Sequence, residues 1–142
     1  MRSYVRLWPS LLAFGAACGG SSGPTSTGTN NNPPPTAPPT ASVSMTDFAF
    51  TQAAITIKAG TMVKWVNNGG TSHTATSDGG VSPAFDSGTL AAPGTTTDPY
   101  GGTTTTPGGS YSTTFSTPGT YAYHCTFHGT LHNMTGTITV TQ

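Results

Sequence analysis

From Ala41 onward, apolar residues recur at every second position. Ile55 and Ile57 alternate with Thr56 and Lys58, and past Gly60, Val63 and Trp65 alternate with Met62, Lys64 and Val66. Alternation places successive side chains on opposite faces of an extended chain, so the pattern predicts two half-buried strands. Tyr111, Thr113 and Phe115 repeat it, and the Pro118-Gly119 turn then folds the chain into an expected hairpin. On the second arm Tyr121, Tyr123 and Cys125 share one face, with Cys125 at the strand end. The last strand, Gly136 to Val140, turns Ile138 and Val140 inward and its threonines outward. A first strand around Val43 to Phe50 and short ones near His73 and Phe85 bring the total to seven or eight. That count, with turn residues between the strands, predicts an all-β sandwich over residues 41–142. Met45, Phe48, Phe50, Met62, Trp65, Phe115 and Tyr123 are its packing candidates.

Three segments escape the pattern. Residues 91–109 are nearly all Thr, Gly, Pro and Ala, and they predict a mobile excursion without chemistry of its own. Residues 19–40 contain only small, polar and proline residues that cannot fill a core, and they predict a tether, stiffer through Pro33-Pro34-Pro35. Residues 1–18 join Arg2 and Arg6 to a short apolar run and then to Gly15-Ala16-Ala17-Cys18. This is the composition of an export signal, and its end resembles the bacterial lipoprotein signal, in which the cysteine is lipidated. A lipid on Cys18 would hold the protein peripherally on a membrane at the outer cell envelope or in the periplasm.

Charge narrows the partners. Past the leader the chain has Lys58 and Lys64 against Asp47, Asp78, Asp86 and Asp98, a net charge of −2 without a basic cluster. Nucleic acid, which is gripped through its phosphates, is excluded on that ground.

The candidate chemistry lies between the last two strands, where Cys125 is followed by His128 three residues on and by Met134 six further on. His73 stands 52 residues before Cys125, just after Asn67-Asn68-Gly69-Gly70. Two imidazoles, one thiolate and a weak thioether make the donor set of an electron-transfer copper site. Thiolate suits Cu(I), imidazole suits both oxidation states, and Cu(II) outcompetes Zn(II) in most N/S sites. With Cys18 assigned to a lipid, Cys125 has no disulfide partner in an oxidising compartment, and a metal accounts for its thiol. His124 alternates away from Cys125 and is expected to face solvent, while His132 lies near the site as the rival to Met134 for the axial position.

Together the segments Phe48-Ala49-Phe50, Gly60-Thr61-Met62-Val63-Lys64-Trp65-Val66-Asn67-Asn68, Ser72-His73-Thr74, Phe85-Asp86-Ser87-Gly88, Pro118-Gly119-Thr120-Tyr121, Tyr123-His124-Cys125-Thr126, His128 and Met134-Thr135-Gly136-Thr137-Ile138 resemble the plastocyanin, amicyanin and pseudoazurin branch of the cupredoxins over residues 43–141. The resemblance implies a Greek-key sandwich holding one type 1 copper ion through His73, Cys125 and His128, with Met134 axial. The electron carrier it implies is expected to be a monomer that meets a redox partner protein, with a copper buffer or chaperone as the alternative. Copper oxidases and nitrite reductases need further histidine clusters, which a chain with four histidines lacks, so no enzyme is expected. The chain departs from that pattern in its longer spacing from His128 to Met134, in Phe127 where proline commonly precedes the second histidine, and in Thr74 where asparagine often follows the first.

Overall fold

The computed structural model describes residues 36–142; the leader, Cys18 and the tether up to residue 35 lie outside the described residues. The chain forms β1 (Thr40–Thr46), β2 (Ala49–Thr51), β3 (Ala54–Lys58), β4 (Thr61–Asn67), β5 (Thr76–Ser77), β6 (Gly94–Thr97), β7 (Thr103–Thr106), β8 (Ser110–Phe115), β9 (Gly119–His124), α1 (Gly129–His132) and β10 (Thr135–Thr141). Eight strands build two four-stranded sheets, ordered β2-β1-β4-β8 and β3-β10-β9-β5. The all-β sandwich read from the alternation is therefore the observed fold. The chain passes between sheets after β2, β4 and β8, and the strands adjacent in chain order β3 and β4 also lie in different sheets. Among the described residues, no helix is long and apolar enough to cross a membrane.

Inward positions match the period-two pattern. Val43, Met45, Val63, Trp65, Phe115, Tyr121, Tyr123, Ile138 and Val140 are buried. Trp65 fills the middle, stacked on Phe85 at 5.4 Å and edge-on to Tyr123 at 5.7 Å between ring centroids. Gly60, between β3 and β4, holds φ +87°, a conformation that a side chain would strain.

Four expectations need correction. β8 and β9 do not form a hairpin: β8 pairs with β4, and β9 pairs with β10 and β5. The Pro118-Gly119 segment instead carries the chain across the sandwich, pinned by the Tyr121 hydroxyl donating to the Thr117 carbonyl at 2.8 Å. Residues 91–109 contain the two-stranded ribbon β6-β7, because β-branched threonines favour extended backbone and Asp98 closes the tip by accepting from the Tyr100 and Gly102 amides, each at 2.8 Å. Phe48 is 41% exposed and Met62 is only half-buried, so neither is a core residue. A one-turn helix, α1, stands where only strands and loops were expected.

Candidate metal centre

The site is built first by the loop after β9. The Cys125 amide donates to the Met134 carbonyl at 3.0 Å, and the Cys125 carbonyl accepts from the Gly129 amide at 2.7 Å and the His128 amide at 3.2 Å. The extra chain between His128 and Met134 coils into α1, where the His132 amide reaches the His128 carbonyl at 2.9 Å. Asn133, in the left-handed conformation at φ 53°, ends that turn and returns the chain to β10. The longer spacing is thus taken up locally, and Cys125 and Met134 remain bonded neighbours.

His73 arrives from the other sheet's side of the molecule. Its backbone bridges Leu90 in both directions, at 3.1 and 2.8 Å. The preceding loop is shaped by the buried Asn67, whose amide nitrogen donates to the Thr71 and Leu90 carbonyls at 2.8 and 2.9 Å while its oxygen accepts from the Gly69 amide at 2.9 Å. Both amide protons and the carbonyl are thereby satisfied, which makes this loop a fixed support.

The result is a compact triangle of donors. Cys125 Sγ lies 3.8 Å from His73 Nδ1 and 3.5 Å from His128 Nδ1, and the two nitrogens are 3.2 Å apart. The point equidistant from those three atoms is about 2.0 Å from each, close to metal–imidazole and metal–thiolate bond lengths of about 2.0–2.3 Å. The donor set and its spacing therefore fit a small, thiophilic ion such as copper. Burial and the neighbouring His128 push the His73 pKa below the ordinary imidazole value, with Asp47 opposing. A neutral ring with a free Nδ1 lone pair is what ligation requires.

Other groups frame the triangle. The Thr74 amide points at Cys125 Sγ at 3.4 Å, and the Thr74 hydroxyl accepts from the Thr126 amide at 2.9 Å. Threonine after the first histidine thus still ties the two loops together beside the sulfur. Met134 is buried at 1% exposure. His132 is exposed and stacks on Phe48 at 4.1 Å, outside the triangle. His124 bonds the Asp78 carboxylate at 2.6 Å in a half-exposed position and stands apart from the metal-competent group. Asp47, Phe48 and Asn67, all close to the site, were not singled out for it by their sequence pattern. Only Asn67, in an Asn-Asn-Gly-Gly turn just before His73, carried a recognisable loop signal.

A β-sandwich that gathers one buried cysteine and two histidines at one end defines a cupredoxin. Residues 39–141 match the family model of copper binding proteins, plastocyanin/azurin family. The chain belongs to that family, and its cofactor is copper. Plastocyanin from Scenedesmus fuscus is 42% identical over 98 residues, 64% of this chain and 85% of that protein. Among solved structures, a reduced amicyanin variant superposes with a TM-score of 0.50 at 26% identity, covering 70% of this chain and 80% of its own. The purple cupredoxin from Nitrosopumilus maritimus shares the fold, with a TM-score of 0.53 at 20% identity over 71% of this chain and 99% of its own. A copper-containing nitrite reductase from Thermus scotoductus gives a TM-score of 0.55 at 26% identity, but the match covers 75% of this chain and only 23% of the enzyme.

Proposed function

We propose that the protein is a single-electron carrier in which His73, Cys125 and His128 hold one copper ion equatorially and Met134 provides the axial contact. The observation that carries this is the triangle of two Nδ1 atoms and one Sγ, with sides of 3.2, 3.5 and 3.8 Å. A bound copper supplies a one-electron Cu(II)/Cu(I) couple. The protein's part is to keep the donors still: the bonded loop from Cys125 to Met134 and the Asn67-braced loop before His73 leave them little freedom to rearrange. Of the two proposed histidine ligands His128 is the more exposed; Phe48 and Phe127 lie 5.0 and 6.2 Å from its ring between centroids, and Leu131 follows in α1, the three being 41%, 47% and 80% exposed. An apolar rim around a ligand edge suits close approach by a redox partner protein, since few charged groups must be desolvated. The leader and Cys18 support a place outside the cytoplasm, on a membrane surface.

One experiment separates the carrier from a copper buffer. The full chain, expressed with its leader and recovered from the membrane fraction, is loaded with Cu(II) and cycled with reductant and oxidant beside a Cu(I) chelator. A carrier bleaches and recovers its colour repeatedly without losing copper; loss of the ion at the first reduction would make the protein a buffer or chaperone. Recovery from the soluble fraction alone would count against the anchor.

The axial assignment rests on the burial of Met134 and on the engagement of the His132 ring with Phe48. Met134→Leu is expected to leave copper bound while raising the potential and altering the visible spectrum, because a weak axial contact tunes the centre without creating it. His132→Ala should leave the axial signature unchanged. Side-by-side spectra and redox titrations decide, and the reverse result would transfer the role to His132.

A further inference from the structure

The two-residue turn between β1 and β2, Asp47-Phe48, touches the surroundings of both histidines. Asp47 Oδ1 accepts from the Gly70 amide at 2.7 Å, the Thr71 amide at 3.2 Å and the Thr71 hydroxyl at 3.4 Å. The same hydroxyl is 3.3 Å from His73 Nε2, which itself lies 3.8 Å from Asp47 Oδ1. With His73 Nδ1 turned toward the sulfur as a lone-pair donor, the ring proton resides on Nε2. It donates to the Thr71 oxygen, and the Thr71 hydroxyl in turn donates to the Asp47 carboxylate. This is a histidine braced from behind by a carboxylate, the arrangement that fixes tautomer and ring orientation and raises ligand basicity. The fit is close: a Cβ on Gly69 would stand 2.7 Å from Asp47 Oδ1 and 3.0 Å from the Asp47 amide nitrogen.

Phe48 makes the companion contact. Its ring meets His128 edge-to-face at 5.0 Å and 77°, and stacks on His132 at 4.1 Å and 25°. Its backbone is at φ +65°, in a turn position where glycine or asparagine is the usual occupant. A bulky residue there is strained, and such strain persists only where surrounding structure holds it. Burial cannot be that hold for a ring 41% exposed. The anchored Asp47 on one side and the two imidazoles on the other supply it.

We propose that the Asp47-Phe48 turn is the positioning element of the centre, with Asp47 fixing His73 through Thr71 and placing a negative charge behind it, and Phe48 bracing the His128 ring. The proposal rests on His73 and His128 being copper ligands. A carboxylate behind one ligand stabilises Cu(II) more than Cu(I), so its charge holds the reduction potential down.

Asp47→Asn keeps an oxygen for the Gly70 and Thr71 amides and removes only the charge. Redox titration of the copper-loaded full chain is expected to show the Cu(II)-to-Cu(I) affinity ratio reduced about tenfold, a rise of about 59 mV for a one-electron couple. Phe48→Gly relieves the backbone and deletes the ring. In the metal-free protein, the His128 ring resonances of this variant are expected to collapse toward an averaged, rotating imidazole. A ratio changed less than about twofold in Asp47→Asn, or His128 resonances identical to wild type in Phe48→Gly, would overturn the corresponding half of the proposal. If the wild type is colourless with copper, or its spectrum survives both His73→Ala and His128→Ala, the ligand assignment itself has failed; a normal, histidine-dependent spectrum with an unmoved potential in Asp47→Asn overturns the Asp47 half alone.

Discussion

Changing Cys125 to serine is expected to reduce the intense visible absorption of the copper-loaded protein to background. That absorption arises from electron donation by a thiolate to Cu(II), and among the four proposed ligands only Cys125 can supply a thiolate. A serine hydroxyl at the same place does not ionise near neutral pH and offers a hard, weakly donating oxygen. The loss would be chemical and not structural, for reasons visible in the surroundings. Cys125 is fully buried, serine is of similar size, and the Thr74 amide that points at Sγ at 3.4 Å would meet an oxygen acceptor instead. The metal-free variant should therefore keep its fold, with stability within about 1 kcal/mol of wild type, the middle of the range for single substitutions. Absorption spectra with stoichiometric Cu(II), set beside thermal melts without copper, check both halves. An unchanged visible band in a well-folded Cys125→Ser protein would remove the thiolate from the centre.

What the sequence made legible follows from which forces act locally. Alternation identified the longer strands of the sandwich because each has one face against the core: β4 buries Val63 and Trp65, and β10 buries Ile138 and Val140. Alternation carries no information about which sheet a strand joins. The hairpin expected at Pro118-Gly119 is therefore a crossing, fixed by a hydroxyl-to-carbonyl bond from Tyr121 to Thr117 that periodicity cannot encode. The ribbon β6-β7 was invisible for the opposite reason: every residue in it is exposed, so no burial pattern exists to be read. Four residues of α1 are too few to show a helical period.

The site divides in the same way. Cys125, His128 and Met134 lie close in sequence, so their donor chemistry announces itself, and His73 follows from the need for a second imidazole. Asp47 reaches the loop of His73 only because β1 lies parallel beside β4, in register from Thr40 with Met62 to Met45 with Asn67. That pairing sets the β1-β2 turn against the end of β4 and the Asn67-to-Thr71 loop. Nothing in the local sequence around Asp47 or Phe48 signals it, and the aromatic character of Phe48 suggested the core.

Replacing Gly136 by alanine is expected to destabilise the protein by about 3 kcal/mol, at the upper end of the usual cost of overpacking, and to lower its melting temperature by roughly 15 °C. Gly136 pairs with Tyr123 across β10 and β9, and the tyrosine ring lies over it. A Cβ there would fall on the ring, against Cζ and the hydroxyl and 2.6 Å from Cε1. The ring cannot swing away: Tyr123 is fully buried, with Phe50 at 4.8 Å and Trp65 at 5.7 Å between centroids. Either the strands separate or the aromatic core shifts. Each outcome reaches the centre, since Tyr123 is two residues before Cys125 and Gly136 two residues after Met134, and those two residues are joined by the 3.0 Å bond from the Cys125 amide to the Met134 carbonyl. The copper spectrum of Gly136→Ala should therefore change along with its stability, although no ligand has been altered. Gly94→Ala is the control: an added Cβ there meets nothing within 4 Å, so its stability should stay within about 0.5 kcal/mol of wild type. Thermal melts and visible spectra of the two variants measure the difference, and a Gly136→Ala protein that melts and colours like wild type would show that the Tyr123 ring does not pack over β10 as described.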